Sequence, residues 1–598
     1  MQKSGVSNYE AGSRVESHRA IRRVRLGFCF MVALLVVVAA RVVVVQGFDP
    51  ESFASKAADL RTQASVLPSE RGAILDMNGT VLAQSIVRYD IVGAPNVNTS
   101  NETFRRLADE GSILEVSRDQ GLQELADLLD EPEPAVREQL SGEGLFTYLA
   151  KAVDPGLENE IMKLGVPGVE SRPVKKRGYP QGAVAGSIVG YTNDSGGAAG
   201  LELTLNDRLE GKDGERTYQI GADGIIIPTA PLKVSPATNG QSVKLTIDTD
   251  LQYAAQQAIE TQVAKLNADW ANIIVVEAKT GKVRAMAETG SVDPNNPGAT
   301  AAADRGARSV QAALEPGSTD KAITAAAAIE EGIISPESRL VIPPGYTVNG
   351  QFFKDSFEHG TEHRTFAGVI GSSMNTGTVI VGQELSRQQR YDYLKKFGVG
   401  EKTGIPLPGE SSGLLAPPDE WDGRQEFAVL FGQGVSQTLL QTTMAFQAIA
   451  NDGLLLKPQL IESYIDPDGA EHPVQTEPGA RAISESTARQ TRDILESVVT
   501  AGGAKDIKVP GYRVGGKTGT AEAVADDGIG LDGYTASFVG MAPMDDPEYV
   551  VMVNVQRPQG NIYGISTAPV FNNIMGRVLT RFNVQPSRAP GISLPQEY

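Results

Sequence analysis

Residues 26–45 are apolar throughout except for Arg41, and this run constrains the chain more than any other feature. It is close to the roughly 20 residues a helix needs to cross the hydrocarbon of a bilayer. A lone spanning segment has to be helical, because its backbone groups find no water to bond there. Lys3, Arg14, Arg19, Arg22, Arg23 and Arg25 precede the run, and Asp49 and Glu51 follow it. That asymmetry predicts a cytoplasmic N-terminus and an extracytoplasmic remainder, with Arg41 near the outer end, where its side chain reaches the headgroups. A cleaved signal peptide would have a shorter apolar core and a small-residue cleavage site. The run is long and no clean site precedes Gln46, so a retained single-pass anchor is expected.

The exported part has to fold without disulfides, since Cys29, inside the run, is the sole cysteine. Phe28 stands where a lipoprotein anchor would need a small residue, so Cys29 reads as a small apolar residue of the span. At 598 residues the chain is long enough for several domains. Its net charge of −19 argues against nucleic acid as a partner, which requires clustered Lys and Arg. Any anion has to be bound by local cations.

Along the exported part, residues 71–83 alternate apolar residues around Asn78-Gly79, the pattern of a β-hairpin. Residues 101–164 read as helical and acidic. Residues 177–182 and 196–202 read as loops, and 228–240, rich in Pro, Thr and Asn, as a linker. A strand over 242–248 then opens a second domain. Residues 273–277 and 283–287 predict two strands joined through Lys279-Thr-Gly281, and 535–540 and 549–555 predict two more. Between the pairs lies a long helical insert, so an antiparallel sheet assembled from both ends of the domain is expected, with helices around it. Residues 586–598 are Pro-rich and read as a loose tail.

The chemistry is concentrated in three short motifs. In Leu314-Glu-Pro-Gly-Ser-Thr-Asp-Lys321, a Pro-Gly turn precedes a helix-forming stretch that Gly332 ends, so Ser318 and Lys321 share one face at a helix start. That is a hydroxyl nucleophile beside an amine base. S-x-x-K alone is weak, because a chain of this length contains it by chance about once or twice. Two more motifs follow in order: Ser373-Met-Asn375, and Lys517-Thr-Gly519 followed by Thr520. The three together are the set shared by penicillin-binding proteins and class A β-lactamases.

Acyl transfer from a peptide needs a nucleophile, a base, a proton donor for the departing amine and donors for the oxyanion. Ser318 and Lys321 supply the first two. Ser373 can relay a proton to the leaving nitrogen, and Asn375 has the amide to hold Lys321 and a substrate carbonyl. Lys517 adds a positive charge that lowers the pKa of Lys321 and attracts a carboxylate. Thr518, Gly519 and Thr520 form a strand edge for an extended peptide, with the N–H groups of Ser318 and Thr520 as oxyanion donors. A Ser-His-Asp triad is disfavoured, since none of His18, His359, His363 and His472 lies in a nucleophile-elbow context. His359 and His363 read as a solvated polar turn, because Gly360 separates them and the H-E-x-x-H order is missing.

With these motifs in place, the chain resembles class B penicillin-binding proteins from end to end, most of all the division-associated septal D,D-transpeptidases. The resemblance is carried by Arg71-Gly-Ala-Ile-Leu-Asp76, Gly200-Leu-Glu202, Thr246-Ile-Asp248, Phe431-Gly-Gln-Gly434, Ser537-Phe-Val-Gly540 and Ala568-Pro-Val-Phe571. It implies an α+β protein: a cytoplasmic basic tail (1–25), a transmembrane anchor (26–46), a mixed pedestal domain of dimerisation type (47–240), a transpeptidase domain (241–585) with a five-stranded antiparallel sheet, flanking helices and a helical subdomain, and the tail (586–598). It implies a serine acyl-enzyme reaction on stem peptides ending in D-Ala-D-Ala, inhibition by β-lactams, and no metal or organic cofactor. It also implies partnership with a SEDS-type membrane glycan polymerase and other division proteins, at the septal plasma membrane. Asp320 and Met374 depart from the commoner residues of their motifs, which bears on substrate or drug preference. An elongation-specific transpeptidase and a penicillin-binding sensor or scaffold with little turnover are the alternatives. A soluble carboxypeptidase or β-lactamase leaves the anchor and the region before the catalytic domain unexplained.

Overall fold

A computed structural model describes residues 11–48, 61–107, 112–219, 233–525 and 530–598. The chain divides into two units: residues 1–69 with 212–238, and residues 70–211 with 239–598. In the first, helix α1 (Ala11–Val43) continues as one π-helical turn, Val44–Phe48. Within it, Ile21–Gln46 is long and apolar enough to cross a membrane. The same unit holds a three-stranded antiparallel sheet of Thr62–Leu67, Gly214–Gln219 and Lys233–Ser235. The expected linker over 228–240 therefore contains a strand; its residues 228–232 lie outside the described residues.

The second unit opens with the expected hairpin, β1 (Ile74–Leu75) and β2 (Val81–Gly93). Asp76 Oδ1 accepts the N–H groups of Asn78 at 2.8 Å and Thr80 at 2.7 Å, and Gly79 takes φ +88°, which an L side chain rarely adopts. Helix α2 (Arg118–Leu129) packs Leu122, Leu125 and Ala126 against Ile91 of β2. β2 is flanked by β3 (Thr147–Val153) and β4 (Val169–Gly178). The purely helical expectation for 101–164 is thus corrected: β3 and the hairpin of Thr103–Leu107 with Ile113–Ser117 are strands. That hairpin buries only Phe104 and Val116, too few apolar positions to write a period-2 signal.

The predicted loops at 177–182 and 196–202 are tied together at their ends. Glu202, in the short helix Gly200–Thr204, is fully buried and accepts from Arg71 Nε at 2.6 Å and Arg177 Nε at 2.7 Å. Arg71 also donates to the Glu202 carbonyl at 2.8 Å. Strand β5 (Ser242–Leu245) runs parallel to β1, pairing Val243 with Ile74, and antiparallel to Ile461–Ile465. One sheet therefore crosses residue 240, because the backbone edge of the hairpin is satisfied by the strand that follows.

Helix α3 (Thr249–Leu266), capped by Asp248, leads into β6 (Trp270–Glu277) and β7 (Val283–Glu288). The insert contains β8 (Ala313–Leu314), α4 (Lys321–Glu330), α5 (Phe366–Gly371), α6 (Asn375–Gly382), β9 (Gln437–Thr438), α7 (Leu439–Ala450) and α8 (Glu485–Thr500). The chain returns as β10 (Gly515–Val524), β11 (Leu531–Ala542) and β12 (Tyr549–Gln556), then α9 (Ala568–Arg581). The five-stranded sheet is antiparallel, in the order β7-β6-β12-β11-β10. Alternate residues serve two cores: Ile273, Val275, Val551 and Val553 pack with Ile259 and Phe571, while Ile274, Val276 and Met552 pack with Ala322, Leu440 and Ala448.

The C-terminal segment is not loose. Leu594 N–H donates to Ser497 Oγ at 2.9 Å, Thr365 N–H donates to the Gln596 carbonyl at 3.2 Å, and Thr365 Oγ1 donates to the Pro595 carbonyl. Arg364 pairs with Glu597 at 2.9 Å, and the His363 and Tyr598 rings meet edge to face at 5.4 Å. The tail's own composition is irregular, but its backbone is satisfied by α8 and the residues before α5.

Removing one partner of a buried ion pair strands the other charge. Glu202→Ala, which leaves Arg71 and Arg177 without their counter-ion, is expected to lower stability by about 3 kcal/mol, read from urea unfolding of the detergent-solubilised protein by tryptophan fluorescence. A loss under about 1 kcal/mol would place the site in solvent.

Candidate active site

Three distant parts of the chain build the site. Gly317–Asp320 forms a 3₁₀ turn that runs directly into α4, so Ser318 and Lys321 sit at a helix start. Gly317 has φ +56° and donates its N–H to the Gly432 carbonyl at 3.0 Å, an approach so close that a Cβ on Gly432 would meet the Gly317 carbonyl oxygen at 2.2 Å. Ser318 is half-buried, whereas Lys321 is fully buried.

Ser373 lies between α5 and α6 with φ +58°, a conformation uncommon for a residue other than glycine. Lys321 Nζ donates to the Ser373 carbonyl at 2.5 Å and to its Oγ at 3.3 Å. Lys517, from β10 and equally buried, donates to the same Oγ at 2.9 Å and to the Thr518 carbonyl at 3.1 Å. Burial, followed by the like charge of Lys517, holds the Lys321 amine well below the usual lysine range, while Asp355 pulls the other way. Burial lowers Lys517 to about 7. Desolvation thus ranks above Lys517 as the cause of the shift at Lys321.

β10 is an outer strand of the five-stranded sheet, and its Thr518 and Thr520 line a cleft of about 460 Å³ together with Ser318, Ser373, Asn375, Phe431 and Tyr563. Gly519 sits opposite Ser537, where a Cβ would meet Ser537 Oγ at 2.4 Å and the Pro316 carbonyl at 3.0 Å. The strand therefore lies close against the nucleophile turn.

Asn375 differs from expectation: its Nδ2 donates to the Lys354 carbonyl at 3.3 Å, and Lys321 Nζ donates to Ser373 instead of to the Asn375 amide. Met374 is fully buried in the core, so the middle of this motif faces away from the cleft. Asp320 is likewise buried, off the Ser318/Lys321 face.

Sequence reasoning missed Asp355. Its Oδ1 accepts the N–H groups of Asn375 and, at 3.0 Å, Thr376, while its Oδ2 accepts from Thr376 Oγ1 at 2.5 Å. It caps α6 from twenty residues upstream, a separation no spacing rule detects. His359, expected in a solvated turn, has a side chain only 4% exposed, with Nε2 2.9 Å from Asp355 Oδ2. Among the described residues, no group of three or more His, Cys, Asp or Glu is arranged to hold a metal ion.

The family profile for the penicillin-binding protein transpeptidase domain matches residues 271–576, and that for the penicillin-binding protein dimerisation domain matches residues 66–245. The chain is 36% identical to penicillin-binding protein PbpB of Mycolicibacterium smegmatis, covering 99% of this chain and 94% of that protein. It is 31% identical to the peptidoglycan D,D-transpeptidase FtsI of Escherichia coli, covering 93% and 91%. Among solved structures, a peptidoglycan synthetase from Bifidobacterium adolescentis matches with a TM-score of 0.71 at 31% identity, over 90% of this chain and 100% of that one. Penicillin binding protein 3 of Mycobacterium tuberculosis, complexed with aztreonam, matches with a TM-score of 0.68 at 30% identity, over 89% and 100%. By sequence, fold and the grouping of its three motifs, the chain belongs to the penicillin-binding protein transpeptidase family, with the dimerisation domain of its class B members.

Proposed function

We propose that this protein is a septal peptidoglycan D,D-transpeptidase that works through an acyl-enzyme on Ser318 and is acylated by β-lactams. The observation that carries this reading is the convergence of two fully buried lysines on Ser373 Oγ, in the cleft that Ser318 lines. Relatives named peptidoglycan D,D-transpeptidase support the reaction, and FtsI among them supports the division role.

In the first half-reaction Lys321, as free amine, takes the Ser318 hydroxyl proton while Oγ attacks the carbonyl carbon of the penultimate D-Ala. The oxyanion is held by the N–H groups of Ser318 and Thr520. As the C–N bond breaks, Ser373 Oγ delivers a proton to the departing D-Ala amine and is replenished from the lysines it bonds. In the second half-reaction an amine of a neighbouring strand attacks the ester, its proton passes back through the same groups, and Ser318 Oγ leaves protonated. Lys517 receives the terminal carboxylate of the donor, and the Thr518–Thr520 edge pairs with its backbone. Asn375 orients the donor's amide from the cleft wall. No metal or cofactor enters this scheme.

The basic residues before the apolar helix favour a cytoplasmic N-terminus and an extracytoplasmic site. On this reading 47–240 is a non-catalytic pedestal and 241–585 the catalytic domain. Pedestal and anchor contact a SEDS-type glycan polymerase, and the chain collects at the septum.

Two outcomes test this. Fluorescent penicillin is expected to label wild-type protein in membranes and leave Ser318→Ala unlabelled, and a tagged chain is expected to concentrate at the division site. Label on both forms refutes the nucleophile, and sidewall fluorescence refutes the septal role. The acylation rate should also fall toward acid, since Lys321 must be deprotonated and its pKa is depressed. The positive charge of Lys517 is the second cause of that depression after burial, so removing it raises the pKa of Lys321. Lys517→Gln is therefore expected to move the acid limb of the normalised pH–rate profile to higher pH; a limb that stays or moves lower contradicts the coupling.

A further inference from the structure

Asp320 stands between the two motif residues, yet its side chain is buried away from them and has no charged partner among the described residues. Gln437 Nε2 donates to Asp320 Oδ2 at 2.6 Å, and Gln437 Oε1 accepts from Thr442 Oγ1 at 3.1 Å. Asp320, Gln437 and Thr442 are 1%, 2% and 3% exposed. A buried carboxyl met by one amide is a poor way to fill a core, since an apolar side chain of similar volume fills it without desolvation. Its presence calls for a role beyond packing. Burial pushes its pKa up to about 8, so it enters this contact as an uncharged acid near neutral pH.

The position of Gln437 supplies that role. On β9 its backbone lies opposite Leu314 of β8, the residue leading into the Pro316-Gly317 turn. Its side chain reaches Asp320, on the far side of the same turn. One residue thus grips both ends of the segment that carries Ser318. The chain just before it reinforces the grip: Gly434 N–H donates to Glu315 Oε1 at 2.9 Å, and Thr324 Oγ1 donates to the Leu430 carbonyl at 2.7 Å. We infer that Asp320 and Gln437 are positioning residues for acylation, a side-chain clamp that closes the nucleophile turn and sets Ser318 against Lys321 and the β10 edge. The clamp rests on the proposed reading of Ser318 as nucleophile.

The test is stopped-flow acylation of the full-length protein in detergent by a fluorescent penicillin, separating the dissociation constant of the first complex from the acylation rate constant. Asp320→Leu is expected to slow acylation by about 10-fold to 100-fold, the scale of a small misplacement of a reacting group, with the dissociation constant changed less than about threefold. Gln437→Leu, which breaks the same contact from outside the nucleophile helix, should act alike even if Asp320→Leu folds poorly. Asp320→Asn keeps an acceptor for Gln437 and should stay within about threefold of wild type, and Asp320→Leu/Gln437→Leu should lose less than the two single losses combined, since no polar partner is left alone. Wild-type acylation rates in both single leucine variants overturn the clamp, as does Asp320→Asn falling as far as Asp320→Leu. Label retained by Ser318→Ala overturns the reading beneath it instead.

Discussion

Two lysine side chains with no solvent exposure meet on one serine hydroxyl, and the rest of the catalytic domain is arranged to make that tolerable. Burying an ammonium without a counter-ion is among the more expensive acts in a protein, and two at once repel each other. The protein meets this by lowering the pKa of both amines and by supplying neutral acceptors: the Ser373 carbonyl and Oγ for Lys321, and Ser373 Oγ and the Thr518 carbonyl for Lys517. The desolvation that makes the pair expensive as cations is the first cause that lowers the pKa of Lys321 and so favours its free amine. The left-handed turn at Ser373 offers Lys321 both oxygens of one residue. Backbone of that kind costs of order 1 kcal/mol and persists where the surroundings hold it.

Depth comes from the fold. Helix α4 reads Lys-Ala-Ile-Thr-Ala-Ala-Ala-Ala-Ile, and all nine of these residues are buried. A helix apolar on every side belongs in the middle of a domain, and its alanines allow close packing there. Lys321 is buried because it is the first residue of such a helix. Lys517 is buried because it points inward from β10 beside Val539 of β11. The sheet needs both halves of the domain, β6 and β7 before the insert and β10 to β12 after it, so neither lysine is placed until the chain has returned. Acylation competence is thus a property of the assembled domain and of no local segment.

What could be read from the sequence follows from the same division between local and remote causes. The three motifs, the helix start at Ser318 and the strands at 273–277, 283–287, 535–540 and 549–555 were legible, because spacing, apolar runs and turn residues lie within a few positions. The Asn375 amide was not, because its direction is decided by the Lys354 carbonyl, in a strand of a separate hairpin. His359 read as solvated because its partner Asp355 is itself polar, and two polar residues in a Gly-containing stretch look like surface. The C-terminal segment read as loose because its prolines give it no period, while Ser497, Arg364 and Thr365, which bind it, lie far away in sequence. The strands at 103–107 and 113–117 expose most of their residues, so alternation had little to write with.

Asp355 lies near enough to Lys321 to favour its charged form. A free carboxylate there would pair with the lysine and abolish the base. Asp355 is not free. Its Oδ1 is taken by the N–H groups at the start of α6, and its Oδ2 by Thr376 Oγ1 and the His359 ring. Each of these contacts spreads the negative charge over a helix terminus and a ring, where the macrodipole already favours an anion. No hydrogen bond joins that carboxylate to the lysine, and burial together with Lys517 outweighs its pull. Asp355 thus caps α6 while pulling Lys321 towards its charged form, so the Ser373 turn and the base are coupled without any direct bond between Asp355 and Lys321.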